Sequence, residues 1–138
     1  MRQIDSYGEI RLEVPRDTPT NNELLRMHWR DQRRLTKTWA QEIMVAKCEQ
    51  LPYIPAPAVG WRHVWILSYR WKLIMDDDNL MGGCKPVLDA LTQNGLIEDD
   101  RRELVKFKAF QQVDRKNPRT VIIIGGSAPE ETTLTEID

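Results

Sequence analysis

The longest alternating pattern in the sequence covers residues 61–75 and constrains the fold more than any other feature. Its odd-numbered positions from Trp61 to Leu73 carry mainly large aromatic or aliphatic side chains, and the positions between them are mixed. Because successive side chains of a strand point to opposite faces, this pattern predicts a long strand with one strongly apolar face. Such a strand is stable only beside other strands, so the fold contains a sheet.

Shorter patterns on both sides of this strand predict the other elements. Residues 8–14 alternate and stop at Pro15, and residues 104–113 and 119–125 are typical of two further strands. Apolar residues recur at helical spacing between Leu35 and Leu51, and a second, short helix begins near Pro86 and stops at Asn94-Gly95. The sequence therefore predicts a single α+β domain in the order β-α-β-α-β-β. We expect its helices to pack on one mixed sheet, with an antiparallel sheet as the alternative.

The charges divide the chain into a domain and a tail. Residues 127–138 contain four acids and no base, so we expect a disordered acidic tail after a domain that covers residues 1–126. The formal net charge is −1, but without the tail's four acids 20 bases face 17 of the 21 acids. Six of those 17 form two clusters, Asp76-Asp77-Asp78 and Glu98-Asp99-Asp100. A basic body with concentrated acids predicts a polyanion partner and a cation site.

Several other classes of protein are disfavoured. The longest aliphatic run covers only residues 121–124, whereas a membrane span needs roughly 20 apolar residues, so we expect a cytoplasmic protein without a membrane partner. The two cysteines, Cys48 and Cys84, form no disulfide framework, and the two histidines have no zinc-ligand spacing. Cys84 has no histidine in its local motif, and Gly82-Gly83 matches no phosphate-binding loop, so neither indicates a catalytic thiol or a nucleotide site.

The first acidic cluster follows directly after the long predicted strand. On an extended backbone Asp76 and Asp78 would share one face, about 7 Å apart at Cβ, while Asp77 would point away. Carboxylate oxygens without histidine or thiolate favour Mg²⁺, or Mn²⁺, over Zn²⁺. A solvated acidic turn is the alternative interpretation when the aspartates are considered alone.

The residues after this cluster form a strand-helix-strand unit with a recognisable order. It contains Asp76-Asp77-Asp78-Asn79-Leu80, then Lys85-Pro-Val-Leu-Asp89-Ala-Leu, then Gly95-Leu-Ile-Glu-Asp99-Asp100. This series resembles the RusA-type Holliday junction resolvases, the crossover junction endodeoxyribonucleases of bacteria and their phages. Pro19-Thr-Asn-Asn22 also looks like that family's N-terminal loop. The chain departs from the family in the interval between Asn79 and Lys85, which is longer and contains Gly82-Gly83.

The resemblance implies a magnesium-dependent endodeoxyribonuclease that cuts Holliday junctions and other branched DNA as a homodimer, in a bacterial or phage-infected cell. It implies four catalytic residues, Asp76, Asp78, Asp100 and Lys85. The three aspartates would bind Mg²⁺, or Mn²⁺, with Asp99 as the alternative to Asp100, and Lys85 would lie beside the scissile phosphate. A metal-activated water would attack the phosphodiester, so no side-chain nucleophile is needed. Two alternatives stay open: a junction-binding protein of the same fold with impaired catalysis, and a metal-stabilised interaction module.

A basic stretch lies between the N-terminal loop and the first predicted helix. Its predicted DNA contacts are Arg26, Arg30, Arg33, Arg34 and Lys37. We interpret these side chains as phosphate contacts, with an ordinary solvated helix face as the alternative. Trp29 lies within the stretch and is the better candidate for base stacking, whereas Trp61, Trp65, Tyr69 and Trp71 are expected in the core or a dimer interface.

Overall fold

A computed structural model describes residues 9–126 and places four strands and four helices in them. The elements are β1 (Ile10–Val14), α1 (Asn21–Arg26), α2 (Trp29–Gln50), β2 (Arg62–Arg70), α3 (Asp77–Gly82), α4 (Lys85–Gln93), β3 (Val105–Val113) and β4 (Arg119–Gly125). The predicted α+β fold is confirmed; each of the two predicted helices is present, as α2 and α4, and each is preceded by a short helix that was not predicted, α1 and α3. The predicted acidic tail, residues 127–138, lies outside the described residues.

The sheet is mixed, and its strands lie in the order β1-β4-β2-β3. β4 pairs antiparallel with both β1 and β2, whereas β2 and β3 are parallel. A parallel pair needs a long crossover connection, and here α3 and α4 provide it. Both acidic clusters lie in this connection, one after the end of β2 and the other before the start of β3.

Successive side chains of the central strand β2 point to opposite faces of the sheet and belong to two different apolar clusters. Val64 and Ile66 belong to the main core with Trp39 and Ile43 of α2, and α4 contributes Val87, Ala90 and Leu91 to the same cluster. On the opposite face, Trp65, Leu67 and Tyr69 form a smaller cluster with Val121 and Ile123 of β4. The prediction of a core position is therefore confirmed for Trp65 and Tyr69. Trp61 and Trp71, by contrast, are 38% and 61% exposed.

β2 ends at Arg70, so the prediction that the strand continues to Met75 is wrong. The last ladder positions pair Arg70 with Val113 and Tyr69 with Arg119, and both neighbouring strands stop there. Without partners on either side, the chain leaves the sheet, and Ile74 instead exchanges two backbone hydrogen bonds with the side chain of Gln111 on β3. This turn brings the first acidic cluster alongside the edge strand.

We expect Trp39→Ala to lower the free energy of unfolding by about 3–5 kcal/mol, because it removes a large side chain from the main core. Trp39 is fully buried between α2 and the sheet. Met44→Ala on the same helix is the matched control, since Met44 is 48% exposed, and it should cost less than about 1 kcal/mol. Urea unfolding of both variants measures the difference, and equal losses would contradict this placement of the core.

Candidate functional site

The first acidic cluster forms the N-terminus of α3 and is not extended. Asp76 is the N-cap residue, and its side chain accepts a hydrogen bond from the backbone N–H of Asp78 at 3.0 Å. The predicted arrangement of Asp76 and Asp78 on one face of a strand is therefore wrong. An aspartate that caps a helix satisfies an otherwise unpaired N–H, which favours helix over strand here. All three aspartates are exposed.

The N-terminal Pro-Thr-Asn-Asn segment, predicted as a loop, ends in the first turn of α1, because Asn21 and Asn22 are helical, and it is attached directly to the acidic helix. The side-chain oxygen of Asn79, the asparagine of the D-D-D-N series, accepts a hydrogen bond from the backbone N–H of Asn22 at 2.8 Å. Thr20 and Glu23 form a capping box that begins α1 next to this contact. Two segments that lie more than fifty residues apart in the sequence are thus neighbours in the structure.

The glycine pair after α3 makes room for the N-terminal loop. A Cβ on Gly83 would lie 1.8 Å from the carbonyl oxygen of Pro19, and one on Gly82 would lie 2.6 Å from the side chain of Asn21. Gly83 has an ordinary helical φ of −68°, so the requirement is for space and not for an unusual backbone conformation. The residues that lengthen the interval before Lys85 therefore form a helix and a close contact with the loop.

A buried arginine anchors the same loop to the end of β2. Arg70 is 8% exposed, and its Nη1 donates to the carbonyl oxygen of Thr18 at 2.5 Å and to Oγ of Ser68 at 3.0 Å. Thr18 is itself buried, and its backbone N–H donates to the same Ser68 hydroxyl. The charge of Arg70 is thus surrounded by oxygen acceptors, which offsets part of the cost of burying it. This contact fixes where the loop and α3 lie relative to the sheet.

Cys84 lies beneath this arrangement and has no catalytic character. It is fully buried, and burial raises the pKa of its thiol to about 12. Its Sγ lies 3.5 Å from the carbonyl oxygen of Leu80, to which it donates a weak hydrogen bond. Nucleophilic cysteines need an accessible thiolate, so this residue contributes to packing.

Lys85, the first residue of α4, joins the crossover helix to the second acidic cluster. Its Nζ lies 2.6 Å from Oδ2 of Asp100 and 3.0 Å from Oδ1 of Asp89. The hydrogen bond from Lys85 lowers the pKa of Asp100, and the same bond raises the pKa of Lys85. Asp99 has different partners, because it accepts the backbone N–H of Asp100 at 2.7 Å and pairs with Arg101 at 3.1 Å. Of the two adjacent aspartates, Asp100 is the one that contacts Lys85.

The structure brings only part of the predicted site together. Lys85 and Asp100 are in contact, whereas Asp76 and Asp78 begin α3 and connect through it to the N-terminal loop. Within residues 9–126, no three carboxylate, imidazole or thiolate side chains lie close enough to hold a metal ion. The donors still suit Mg²⁺ in kind, since this ion prefers oxygen ligands and commonly takes one or two carboxylates and several waters. In this structure the positive charge next to Asp100 is the ammonium group of Lys85.

The sequence analysis assigned no contact to Asp89, Asn79 or Arg70, three residues that build the site. Asp89 could have been identified as a partner of Lys85 from their spacing of four residues on a helix. The contacts of Arg70 with Thr18 and of Asn79 with Asn22 join residues more than fifty positions apart, so no local pattern indicated them.

The predicted DNA contacts lie on two consecutive helices. Arg26 is in the last turn of α1, and Arg30, Arg33, Arg34 and Lys37 are on the first half of α2; all five are exposed. α2 begins at Trp29, earlier than predicted, because the Nδ1 atom of His28 accepts the backbone N–H of Arg30 as a cap. The side chain of Gln32 donates to the carbonyl oxygen of Leu24, which ties α2 to α1.

The fold and the site together define an α+β domain with an acidic helix N-terminus, a lysine shared by two aspartates and a basic helical surface. The sequence matches no protein-family model and no curated protein. None of the helices within residues 9–126 is both long enough and apolar enough to cross a membrane.

The pair between Lys85 and Asp100 makes stability depend on pH in a defined direction. The folded pKa of Asp100 lies below its ordinary value of 3.8, so its contribution is present above that pH and is lost as the pH falls through the lowered pKa. We expect wild type to be more stable than Asp100→Asn at about pH 6, by less than about 1 kcal/mol for a pair this exposed. Urea unfolding should show that this difference shrinks as the pH is lowered below 3.8, and a constant difference would contradict the assigned pair.

Proposed function

We propose that the protein is a magnesium-dependent, structure-selective endodeoxyribonuclease that resolves Holliday junctions and other branched DNA. The observation that carries this proposal is the contact between the N-terminal Asn22 loop and Asn79 of the acidic helix. It unites the separate segments that resemble RusA-type resolvases, and the pair between Lys85 and Asp100 lies in the same crossover connection. The exposed bases of α1 and α2 follow directly after that loop and supply a surface for DNA phosphates.

In this proposal Asp76, Asp78 and Asp100 would hold Mg²⁺, or Mn²⁺, with their carboxylate oxygens, whereas within residues 9–126 Asp100 is paired with Lys85 and no three such side chains are grouped. The ion, when bound, supplies an activated water and stabilises charge on the phosphate during in-line displacement. Lys85 then has a second role. Its ammonium, which is paired with Asp100 in this structure, would contact a phosphate oxygen and offset the charge that develops there. Symmetric cuts in a four-way junction need two such sites, so the proposal includes a homodimer with a two-fold axis.

The direct test is cleavage of a synthetic four-way junction by the purified protein in Mg²⁺, with EDTA as the blank. We expect Asp78→Asn to cut at least a hundredfold more slowly, the order of effect seen when one group that stabilises a transition state is removed. Asp77→Asn is the matched control, because it removes the same charge from the same helical turn and should stay within about tenfold of wild type. Equal cleavage by wild type and Asp78→Asn would defeat the proposal.

A non-catalytic junction-binding protein is the second candidate. It is favoured by the ammonium of Lys85, which neutralises Asp100, and by the lack of a three-ligand group within the described part of the chain. This alternative predicts tight binding of the junction without nicks in either Mg²⁺ or Mn²⁺. In both cases the affinity should fall steeply with salt, because bound phosphates release counterions. A metal-stabilised interaction module would show no DNA binding at all.

We expect Lys85→Met to tighten the binding of Mn²⁺ and to slow cleavage at the same time. The substitution removes the cation that competes for Asp100, and it also removes the charge proposed to contact the phosphate. Calorimetric titration with Mn²⁺ in the absence of DNA should show a several-fold higher affinity than wild type. Weaker Mn²⁺ binding would mean that Lys85 does not compete with the metal.

A further inference from the structure

Trp29 is an exposed aromatic residue surrounded by positive charge. It is the first residue of α2, and 55% of it is exposed. The guanidinium carbon of Arg30 lies 5.3 Å from the centre of the indole ring, and that of Arg33 lies 5.7 Å away. The ring of His28 is 5.5 Å distant and tilted by 32°. Within residues 9–126 no carboxylate forms an ion pair with either arginine.

Folding alone gives little reason for a tryptophan at this position. The buried residues of α2 are Trp39, Ile43 and Ala46, and the partly buried Leu35, which packs against the same core, is already six positions beyond Trp29. Exposed aromatic surface that is flanked by unpaired guanidinium groups is instead typical of sites where nucleic acid binds, since the ring stacks on bases and the cations contact phosphates. Charge complementarity therefore favours a polyanion that also has flat apolar faces.

We propose that Trp29, Arg30 and Arg33 form a stacking site for an unpaired base of single-stranded or branch-point DNA. The indole ring stacks on the base, and the two guanidinium groups hold phosphates of the same strand. A fully paired duplex keeps its base faces covered by neighbouring pairs, so the site distinguishes open strands from continuous duplex. The inference rests on the proposed function and adds to it a feature of the substrate.

A continuous series of contacts connects this stacking site to the acidic helix. The side chain of Gln32 on α2 donates to the carbonyl oxygen of Leu24 on α1. On the same helix α1, the backbone N–H of Asn22 donates to the side chain of Asn79 on α3. A base held by Trp29 would therefore fix its strand relative to Asp76 and Asp78, which begin the same α3 helix.

The test measures binding of the full-length protein in EDTA, so that cleavage plays no part. The probes are a labelled oligothymidine of about twelve nucleotides, within the range of a single-strand site, and a fully paired, blunt-ended duplex. Trp29→Ala should bind the oligothymidine about tenfold more weakly or worse and should bind the duplex as wild type does. Trp29→Phe should recover part of the loss, because a phenyl ring still stacks.

Trp71→Ala is the matched control. Trp71 is 61% exposed and has the guanidinium of Arg115 at 5.3 Å from its ring, but it lies directly after β2 and not in the basic stretch. It should bind both probes as wild type does. Intrinsic fluorescence gives a second measurement, since oligothymidine should quench wild type more strongly than Trp29→Phe. Heparin, a polyanion without bases, should quench the two proteins equally.

Three results would overturn the stacking site: wild-type binding of oligothymidine by Trp29→Ala, an equal loss on both DNA probes, or a larger loss in Trp71→Ala. None of these results depends on cleavage. If wild type fails to cut a junction but Trp29 still selects single strands, the nuclease proposal fails and the stacking site stands. If the junction is cut and Trp29→Ala binds normally, the stacking site alone fails.

Discussion

Asp100→Asn is expected to slow cleavage of a four-way junction by about a hundredfold to a thousandfold. The substitution removes one proposed ligand of Mg²⁺ and also the carboxylate that contacts Lys85 at 2.6 Å. An asparagine at this position keeps the shape of the side chain but has no charge to offer either cation. Single-turnover cleavage with enzyme in excess measures the effect on the chemical step, because product release is then excluded.

Asp89→Asn is the control for this prediction. Asp89 also contacts Lys85, at 3.0 Å, and its substitution removes the same charge, but Asp89 is not among the proposed metal ligands. It should slow cleavage less than about tenfold, since Lys85 keeps its stronger partner. If the two variants lose the same activity, Asp100 acts only through Lys85, and the proposed metal role of Asp100 is wrong.

Gly83→Ala is expected to lower the free energy of unfolding by about 3 kcal/mol, at the upper end of the usual cost of overpacking. The added Cβ would lie 1.8 Å from the carbonyl oxygen of Pro19, a backbone atom that cannot rotate away. Either the N-terminal loop or the start of α4 must move. Because the loop also carries the contact between Asn22 and Asn79, we expect junction cleavage to fall together with stability.

Gly60→Ala separates this steric effect from the general cost of replacing glycine. Gly60 has a φ of +87°, and a Cβ there would meet no atom within 4 Å, so its cost is backbone strain of about 1–2 kcal/mol. Gly60 lies before β2, and its replacement should leave cleavage near the wild-type rate. Urea unfolding and cleavage are measured for both variants. A Gly83→Ala protein that is more stable than Gly60→Ala would show that the loop does not approach the glycine pair this closely.

The local patterns predicted the elements whose limits are set by nearby residues. The strand predicted at 119–125 has the observed bounds of β4, and the strand predicted at 104–113 begins one residue before β3. Both flank the turn around Pro118, where Asp114 accepts backbone hydrogen bonds from Lys116 and Asn117. Trp39 and Ile43, which lie in the core, belong to the apolar residues whose helical spacing between Leu35 and Leu51 predicted α2.

The end of β2 and the start of α3 did not follow from such patterns. Residues 71–75 keep the alternation of a strand. However, β3 ends at Val113, opposite Arg70, and β4 begins at Arg119, opposite Tyr69, so residues 71–75 have no neighbouring strand to pair with. A helix as short as α3 contains too few residues to show a helical period. The geometry inferred for Asp76 and Asp78 was wrong for this reason.

The residue types at the candidate site were visible in the sequence: clustered carboxylates, a lysine at a helix start, a loop of tandem asparagines and a basic stretch. Composition and spacing alone determine which chemistry these groups can perform, but they did not place Asp76 and Asp78 at the start of a helix. Which of these residues contact one another was decided only by the tertiary structure. Lys85 contacts Asp100, Asn22 contacts Asn79, and the buried Arg70 contacts Thr18. Contacts of this kind depend on how the parallel crossover returns to the sheet, and that path is set by packing across the whole core and not by any single segment.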